Sequence, residues 1–194
     1  MTALPGPDGL LRCPWALSSE DYMAYHDGEW GRAVHGEAAL FERLSLEGFQ
    51  SGLSWITILR KREAFRQAFA GFDPHAVAGF GEADVAELMN NPGIVRNAAK
   101  IRATIANARA LLSLPQGETL EALLEKHRPA QQPVPLEPPD IPSATAESKA
   151  LSKELRARGF RFVGPVTAYA MLQATGYVND HLAGCAFRGG VTRR

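Results

Sequence analysis

The chain has 194 residues, 45% of them hydrophobic, with 21 basic and 21 acidic side chains and no formal net charge. That is enough apolar material for one sizeable core or two closely packed lobes. No run approaches the roughly 18 apolar residues of a membrane span, so no membrane partner is expected.

Residues 1–12 read as a flexible lead-in. They have neither the basic start nor the apolar centre of a secretion signal, so a cytoplasmic protein is expected. Ser18 or Ser19 is a suitable N-cap for a helix through SEDYMAYHDGEWG, and Gly28 allows it an early end. Helical spacing puts Tyr22, Tyr25, His26, Glu29 and Trp30 on one broad face. A face this aromatic either packs into the core or lines a binding site.

Residues 37–59 carry the longest helical pattern. At about 100° per residue, Glu47 falls on the apolar stripe with Leu40 and Leu44, and Ser51, Ser54 and Trp55 lie beside it. A carboxylate there is costly unless paired, and that sector contains no basic residue. An acid, small serines that leave room, and an indole describe a pocket wall. The alternative is a glutamate at the stripe's edge reaching water.

RKRE at 60–63 extends that helix as a solvated face. Asp73 and Pro74 form an N-cap and N1 pair, residues 82–89 a short helix, and Asn91-Pro92-Gly93 a turn. A helix over 97–112 turns Ile101, Ile105 and Ala108 inward, and a short one covers 118–127. Six prolines in 129–142 exclude helix and central strand there, leaving a connector between lobes. Ser143 or Thr145 can cap a helix at 147–158, which Gly159 ends. Pro165 opens the next, at 165–175, so residues 147–175 form a tight hairpin. Its turn, with Arg161, Phe162, Val163 and Gly164, offers backbone N–H groups and a helix N-terminus to a phosphate. Lys153, Arg156 and Arg158 add charge nearby.

Charge is unevenly distributed. Residues 1–48 hold three basic and eight acidic groups, and residues 147–194 hold eight basic and three acidic. This suits a phosphate-facing C-terminal third, or it is ordinary solvated charge. With no repeat and no convincing strand run, the fold class is all-α.

The two cysteines are too few for a disulfide framework. His181 and Cys185, spaced i, i+4, can face one ion from a helical turn, and Cys13 and His26 supply a second pair. Together they make a Cys₂His₂ set, the closed composition of structural Zn²⁺. Such a site would tie the ends together across 154 intervening residues. Two buried thiols and two satisfied histidines are the alternative. His35, His75 and His127 lack partners at ligand spacing and are expected on the surface.

RCPW, YxxYHDxEWG, LFExLxLEGFQxGLSWxTILxKR, the block from PGIVRN to NARA, ALSKxLxxRGFxFVGPVTxYxxxQAxG and VNDHxxxC occur together from Arg12 to Phe187. In these strings the chain resembles the 3-methyladenine DNA glycosylase I family, a branch of the helix-hairpin-helix glycosylase superfamily. The resemblance implies an all-α helix-hairpin-helix fold in one catalytic unit over 1–194. Structural Zn²⁺ on Cys13, His26, His181 and Cys185 would join its N- and C-terminal segments. It further implies a base pocket of Tyr22, Tyr25, Trp30, Glu47 and Trp55, with Gln50 nearby, and a monomer acting on alkylated double-stranded DNA.

The implied reaction is hydrolysis of the N-glycosidic bond of 3-methyladenine in base excision repair, leaving an abasic site. Base extrusion, stacking on aromatic faces that favour a cation, and a catalytic Glu47 would serve it. Superfamily relatives carry an aspartate in V-D-x-H, where this chain has Asn179 followed by Asp180. Bifunctional relatives carry a lysine early in the second hairpin helix. Val166 stands at that place and no lysine follows Lys153, so a monofunctional enzyme without lyase activity is expected. The other readings are a non-catalytic module that binds alkylation-damaged DNA and a zinc-stapled interaction domain.

Overall fold

The computed structural model describes residues 2–191. Two of the eight basic groups of the C-terminal third, Arg193 and Arg194, lie outside the described residues. The regular secondary structure of the described residues is helical apart from one small hairpin, β1 (Leu4–Pro5) paired antiparallel with β2 (Leu11–Arg12). Residues 1–12 were expected to be a flexible lead-in, and this hairpin corrects that. Arg12 is buried between two carboxylates, donating to Asp8 at 2.6 and 2.7 Å and to Asp27 at 2.8 and 3.0 Å. A guanidinium held in this way fixes the strand that carries it.

Helix α1 (Glu20–Gly28) is capped by Ser19, whose Oγ accepts from Tyr22 N, and it ends at Gly28. Residues 37–59 are not one helix. They divide into α2 (Glu37–Gln50) and the start of α3 (Trp55–Ala68). The break has two causes. Gly52 adopts φ +81°, which favours glycine, and Lys100 Nζ donates to the carbonyls of Phe49 (2.7 Å) and Ser51 (2.5 Å). Trp55 therefore opens a second helix. The RKRE face is not simply solvated either, because Arg62 is largely buried against Glu29.

Helices α4 (Pro74–Ala78), α5 (Glu82–Asn90), α6 (Ala98–Leu112) and α7 (Leu120–Lys126) follow, with Asp73, Asn97 and Thr119 capping α4, α6 and α7. The hairpin consists of α8 (Ala146–Ala157), capped by Thr145, and α9 (Pro165–Ala174) with Pro165 in its first turn. One apolar cluster runs from Leu40 on α2 to Val178 beyond α9 and includes Phe41, Phe49, Phe65, Phe69 and Phe72. A satellite of Cys13, Leu182 and Cys185 lies where the two ends of the chain meet.

Gly176 makes that meeting sterically feasible. A Cβ there would fall 2.5 Å from the Gly31 carbonyl oxygen, and the residue has φ +72°. The proline-rich connector is irregular, with bends and one 3₁₀ turn at Pro138–Asp140. Gln132 fastens it to the C-terminal segment by accepting from Asn179 N and donating to Asp180 Oδ1. His127 is half-buried and ion-paired with Glu154, unlike the surface position expected of it.

Candidate active site

A cavity of about 380 Å³ opens where α1, α2, α3 and α9 converge. It collects Tyr22, Tyr25, Trp30, Glu47, Gln50 and Trp55, all six residues expected in a base pocket. Trp15, Pro138, Ile141, Ala170 and Gln173 complete the lining, and none of these five was singled out from the sequence. Trp15 stands edge-on to Tyr22 (5.4 Å), Trp30 (5.1 Å) and His26 (5.2 Å), at the centre of the aromatic wall. Its place in RCPW, two residues from Cys13, was the available signal. The other four come from α9 and the connector, whose approach is purely tertiary. Ser51 and Ser54 do not line the cavity. They are exposed in the turn between α2 and α3, and Ser54 bonds to Thr57.

Glu47 is 5% exposed, and no hydrogen bond contributes to its charge state. Burial pushes its carboxyl up to about 8, with only the field of Arg43 opposing. Arg43 stands one turn back on the same face of α2, which corrects the expectation that this sector contains no basic residue. Arg43 itself is committed elsewhere. It donates to Glu29 at 2.6 Å, lies 5.9 Å from the Tyr25 ring centre, and keeps Nη1 buried without a partner. Glu29 lies outside the cavity, where Arg62 and Arg43 bring its carboxyl down to about 2 despite burial. Tyr25 faces Trp55 at 5.4 Å, and burial raises its phenol well above the ordinary range.

Two donors have no acceptor among the described residues. Tyr22 Oη accepts from Ile56 N at 2.9 Å, which leaves its own proton free, and Trp55 Nε1 is buried with no partner. Aromatic faces, unspent donors and an uncompensated acid suit a flat, polar-edged, positively charged guest.

Beside this wall lie Cys13, His26, His181 and Cys185, all buried, with their donor atoms within 4.8 Å of one another. His26 Nε2 is 3.1 Å from His181 Nδ1, and Cys185 Sγ is 3.5 and 3.4 Å from those two nitrogens. The edges of a tetrahedron of N and S ligands around Zn²⁺ are about 3.3–3.7 Å, so this donor set has nearly the right size. The outer nitrogens are also engaged: His26 Nδ1 with Asp27 at 2.8 Å, and His181 Nε2 with the Trp30 carbonyl at 3.3 Å. His181 and Cys185 lie on an irregular turn instead of the expected helical one. Leu182 N donates to Cys13 Sγ and Ala183 N to the Pro135 carbonyl, and Arg188 caps the His181 carbonyl.

In the hairpin turn, the Asn107 side chain accepts from Arg161 N (2.7 Å) and donates to Arg161 O (3.0 Å), while Ser152 Oγ donates to Val163 O (2.6 Å). Phe162 is exposed at φ +53°, unusual for a bulky residue, and the Val163 side chain is buried. Arg161, Lys153 and Arg156 are exposed. Arg158 is occupied by Glu118 and Glu154, and Arg188 by the Asn179 and His181 carbonyls, so both serve the fold. Asn179 organises the C-terminal turn through His181 N and Arg188 O.

A family model described as methyladenine glycosylase matches residues 15–189. The DNA-3-methyladenine glycosylase of Haemophilus influenzae is 43% identical over 178 residues, covering 90% of this chain and 96% of that protein. DNA-3-methyladenine glycosylase 1 of Escherichia coli is 46% identical over 181 residues, covering 91% and 96%. A crystal structure of 3-methyladenine DNA glycosylase I superposes with a TM-score of 0.86 at 44% identity, covering 90% of this chain and 98% of that one. The Staphylococcus aureus enzyme, solved to explain 3-methyladenine recognition, gives 0.84 at 34% identity, covering 91% and 96%. On this extent of match in sequence and in fold, the chain belongs to the methyladenine glycosylase family.

Proposed function

We propose that the chain is a monofunctional DNA glycosylase that hydrolyses the N-glycosidic bond of 3-methyladenine in alkylated duplex DNA, acting as a single catalytic unit and a monomer in the cytoplasm. The observation that carries this is Glu47, a buried carboxylate with no hydrogen bond from the protein, inside a cavity walled by aromatic rings.

The discrimination follows from its protonation. With its carboxyl pushed up to about 8, Glu47 is mostly neutral at pH 7 in the empty pocket. Ionising it there costs about 1.4 kcal/mol. A base methylated at N3 brings the positive charge that offsets this cost and an amino group for the carboxylate to accept from. Neutral adenine brings no charge.

Tyr22, Tyr25, Trp30 and Trp55 receive the extruded ring, and Gln50 stands at the same wall. The C1′–N bond breaks with its electron pair leaving on the base. A water oxygen bonds C1′ and gives up one proton to solvent, leaving an abasic site, while the cationic base departs neutral. Val166 at the start of α9 supplies no amine, so no Schiff base and no strand cleavage follow. The turn N–H groups of Phe162, Val163 and Gly164, with exposed Arg161, hold a backbone phosphate. Asn107 and Ser152 keep that turn in shape.

The four-donor cluster fits structural Zn²⁺ in composition, spacing and outer hydrogen bonds. Bound there, zinc would contribute folding energy, and four protein ligands leave no open position for chemistry.

Incubation with methylated duplex DNA should release free 3-methyladenine, with strand breaks appearing only after heat or alkali. Lesion-specific binding with no released base after long incubation would make the chain a damage-binding module instead. Breaks without heat would exclude the monofunctional assignment.

A further inference from the structure

Asp180 is buried, at 4% exposure, and accepts three hydrogen bonds: from Tyr169 Oη (2.6 Å), Gln173 Nε2 (2.6 Å) and Gln132 Nε2 (2.9 Å). Of these donors only Gln173 also lines the base cavity. A primary amide has one donating and one accepting end, and a carboxylate can only accept. Asp180 therefore takes the NH₂ end of Gln173 and sets which way the amide faces. The amide oxygen is left as the polar end with no protein partner among the described residues. Gln132 is pinned at both ends by Asn179 N and Asp180, and Tyr169 donates its single proton.

We propose that Gln173 is a base-reading residue that presents an acceptor to the pocket, and that Asp180 is the positioning residue that holds it in that orientation. This rests on the glycosylase reading above and deepens it. At position 6, adenine carries a donor amino group and guanine an acceptor carbonyl. Glu47 and an amide oxygen fixed on another wall both favour the amino group. Their joint effect is selection of methylated adenine over methylated guanine by two acceptors from different helices, α2 and α9.

The test is the ratio of 3-methyladenine to 3-methylguanine released from methylated duplex DNA, measured as kcat/KM for each base. Gln173→Met keeps the volume and removes the amide. It should lower the 3-methyladenine value roughly three- to tenfold, the effect of one net hydrogen bond, with no matching loss for 3-methylguanine, whose position-6 carbonyl gains nothing from an acceptor. Asp180→Asn provides a donor where only an acceptor stood, so Gln173 can turn its NH₂ towards the cavity. The ratio should fall by a similar factor or more, and in a Gln173→Met background Asp180→Asn should change it no further.

If Asp180→Asn fails to fold, Gln173→Met still decides, assisted by binding of free 3-methyladenine followed through quenching of tryptophan fluorescence. A ratio unmoved by Gln173→Met overturns the proposal. So does an Asp180→Asn effect that persists without Gln173. A wild-type protein that releases neither base would instead overturn the glycosylase reading.

Discussion

Replacing Glu47 with glutamine should make the protein more stable and less active, and the gain in stability should depend on pH. The carboxyl is pushed from an ordinary value of 4.5 to about 8 by burial, so the folded chain keeps a proton that the unfolded chain has released. For a pKa raised on folding, the associated stability is complete below about pH 4.5, falls as pH rises, and is fully lost above about pH 8. At pH 7 the unfolded state has gained about 2.5 pKa units, or about 3 kcal/mol, that the folded state cannot match. That is a large share of the roughly 5–15 kcal/mol available to a typical domain. Glutamine has nearly the same shape and does not titrate. Urea unfolding of both proteins should show the variant's advantage growing from under about 1 kcal/mol near pH 5 to about 3 kcal/mol near pH 7. Taking the difference cancels every other titrating group. An advantage that stays constant over this range, or a less stable variant at pH 7, would refute the account of Glu47 as an uncompensated acid held for the substrate. Release of 3-methyladenine should fall in the same variant, because the carboxylate that answers the cationic base is gone.

Cys185→Ser should reduce bound zinc from about one ion per chain to a small fraction and lower thermal stability, read by metal analysis and calorimetry. Wild-type protein that is free of metal and indifferent to chelator would contradict the assignment. Arg12→Leu leaves Asp27, the partner of His26, without its guanidinium, and should weaken metal affinity by about tenfold or more in a chelator competition. Lys100→Met removes the ammonium that holds the Phe49 and Ser51 carbonyls. It should cost about 2 kcal/mol in urea unfolding and speed amide exchange in the turn at 51–54. Unchanged exchange there would mean that Gly52 alone makes the break.

Sequence periodicity carried the helix inventory far because caps and prolines mark boundaries locally. Ser19, Asp73, Asn97, Thr119 and Thr145 all cap through their own side chains. Apolar spacing could not reveal the interruption at 51–54, because one of its causes is a lysine about fifty residues away on α6. The angular position of Glu47 identified a buried acid correctly, since burial of one helix face is a property of that helix. Trp55 joined the same cavity by another route, as the opening residue of α3. Gln173, Pro138 and Ile141 were invisible for the corresponding reason: which parts of α9 and the connector border the same cavity as α1 is decided by packing alone. The N-terminal hairpin was misread because two strand residues leave no periodicity, and a buried Arg12 looks like any surface arginine until its carboxylates are located.

The meeting of the chain's two ends also bears on the order of events during synthesis. Trp15, Tyr22, Tyr25 and Trp30 leave the ribosome early, and α3 can support them through Ile56 and Trp55, yet a further set of contacts comes from residues made long afterwards. Gly176 lies against Gly31, His181 against His26 and Trp30, and the Leu182 N–H against Cys13. The main cluster from α2 to α9 can form as its helices appear, whereas the aromatic wall waits for closure across nearly the whole sequence. An incomplete chain would thus have a packed interior and an unset pocket. The protein would acquire its grip on a base only once the segment from Gly176 onward is in place, and amide protection in α1 should appear only after that segment has been added.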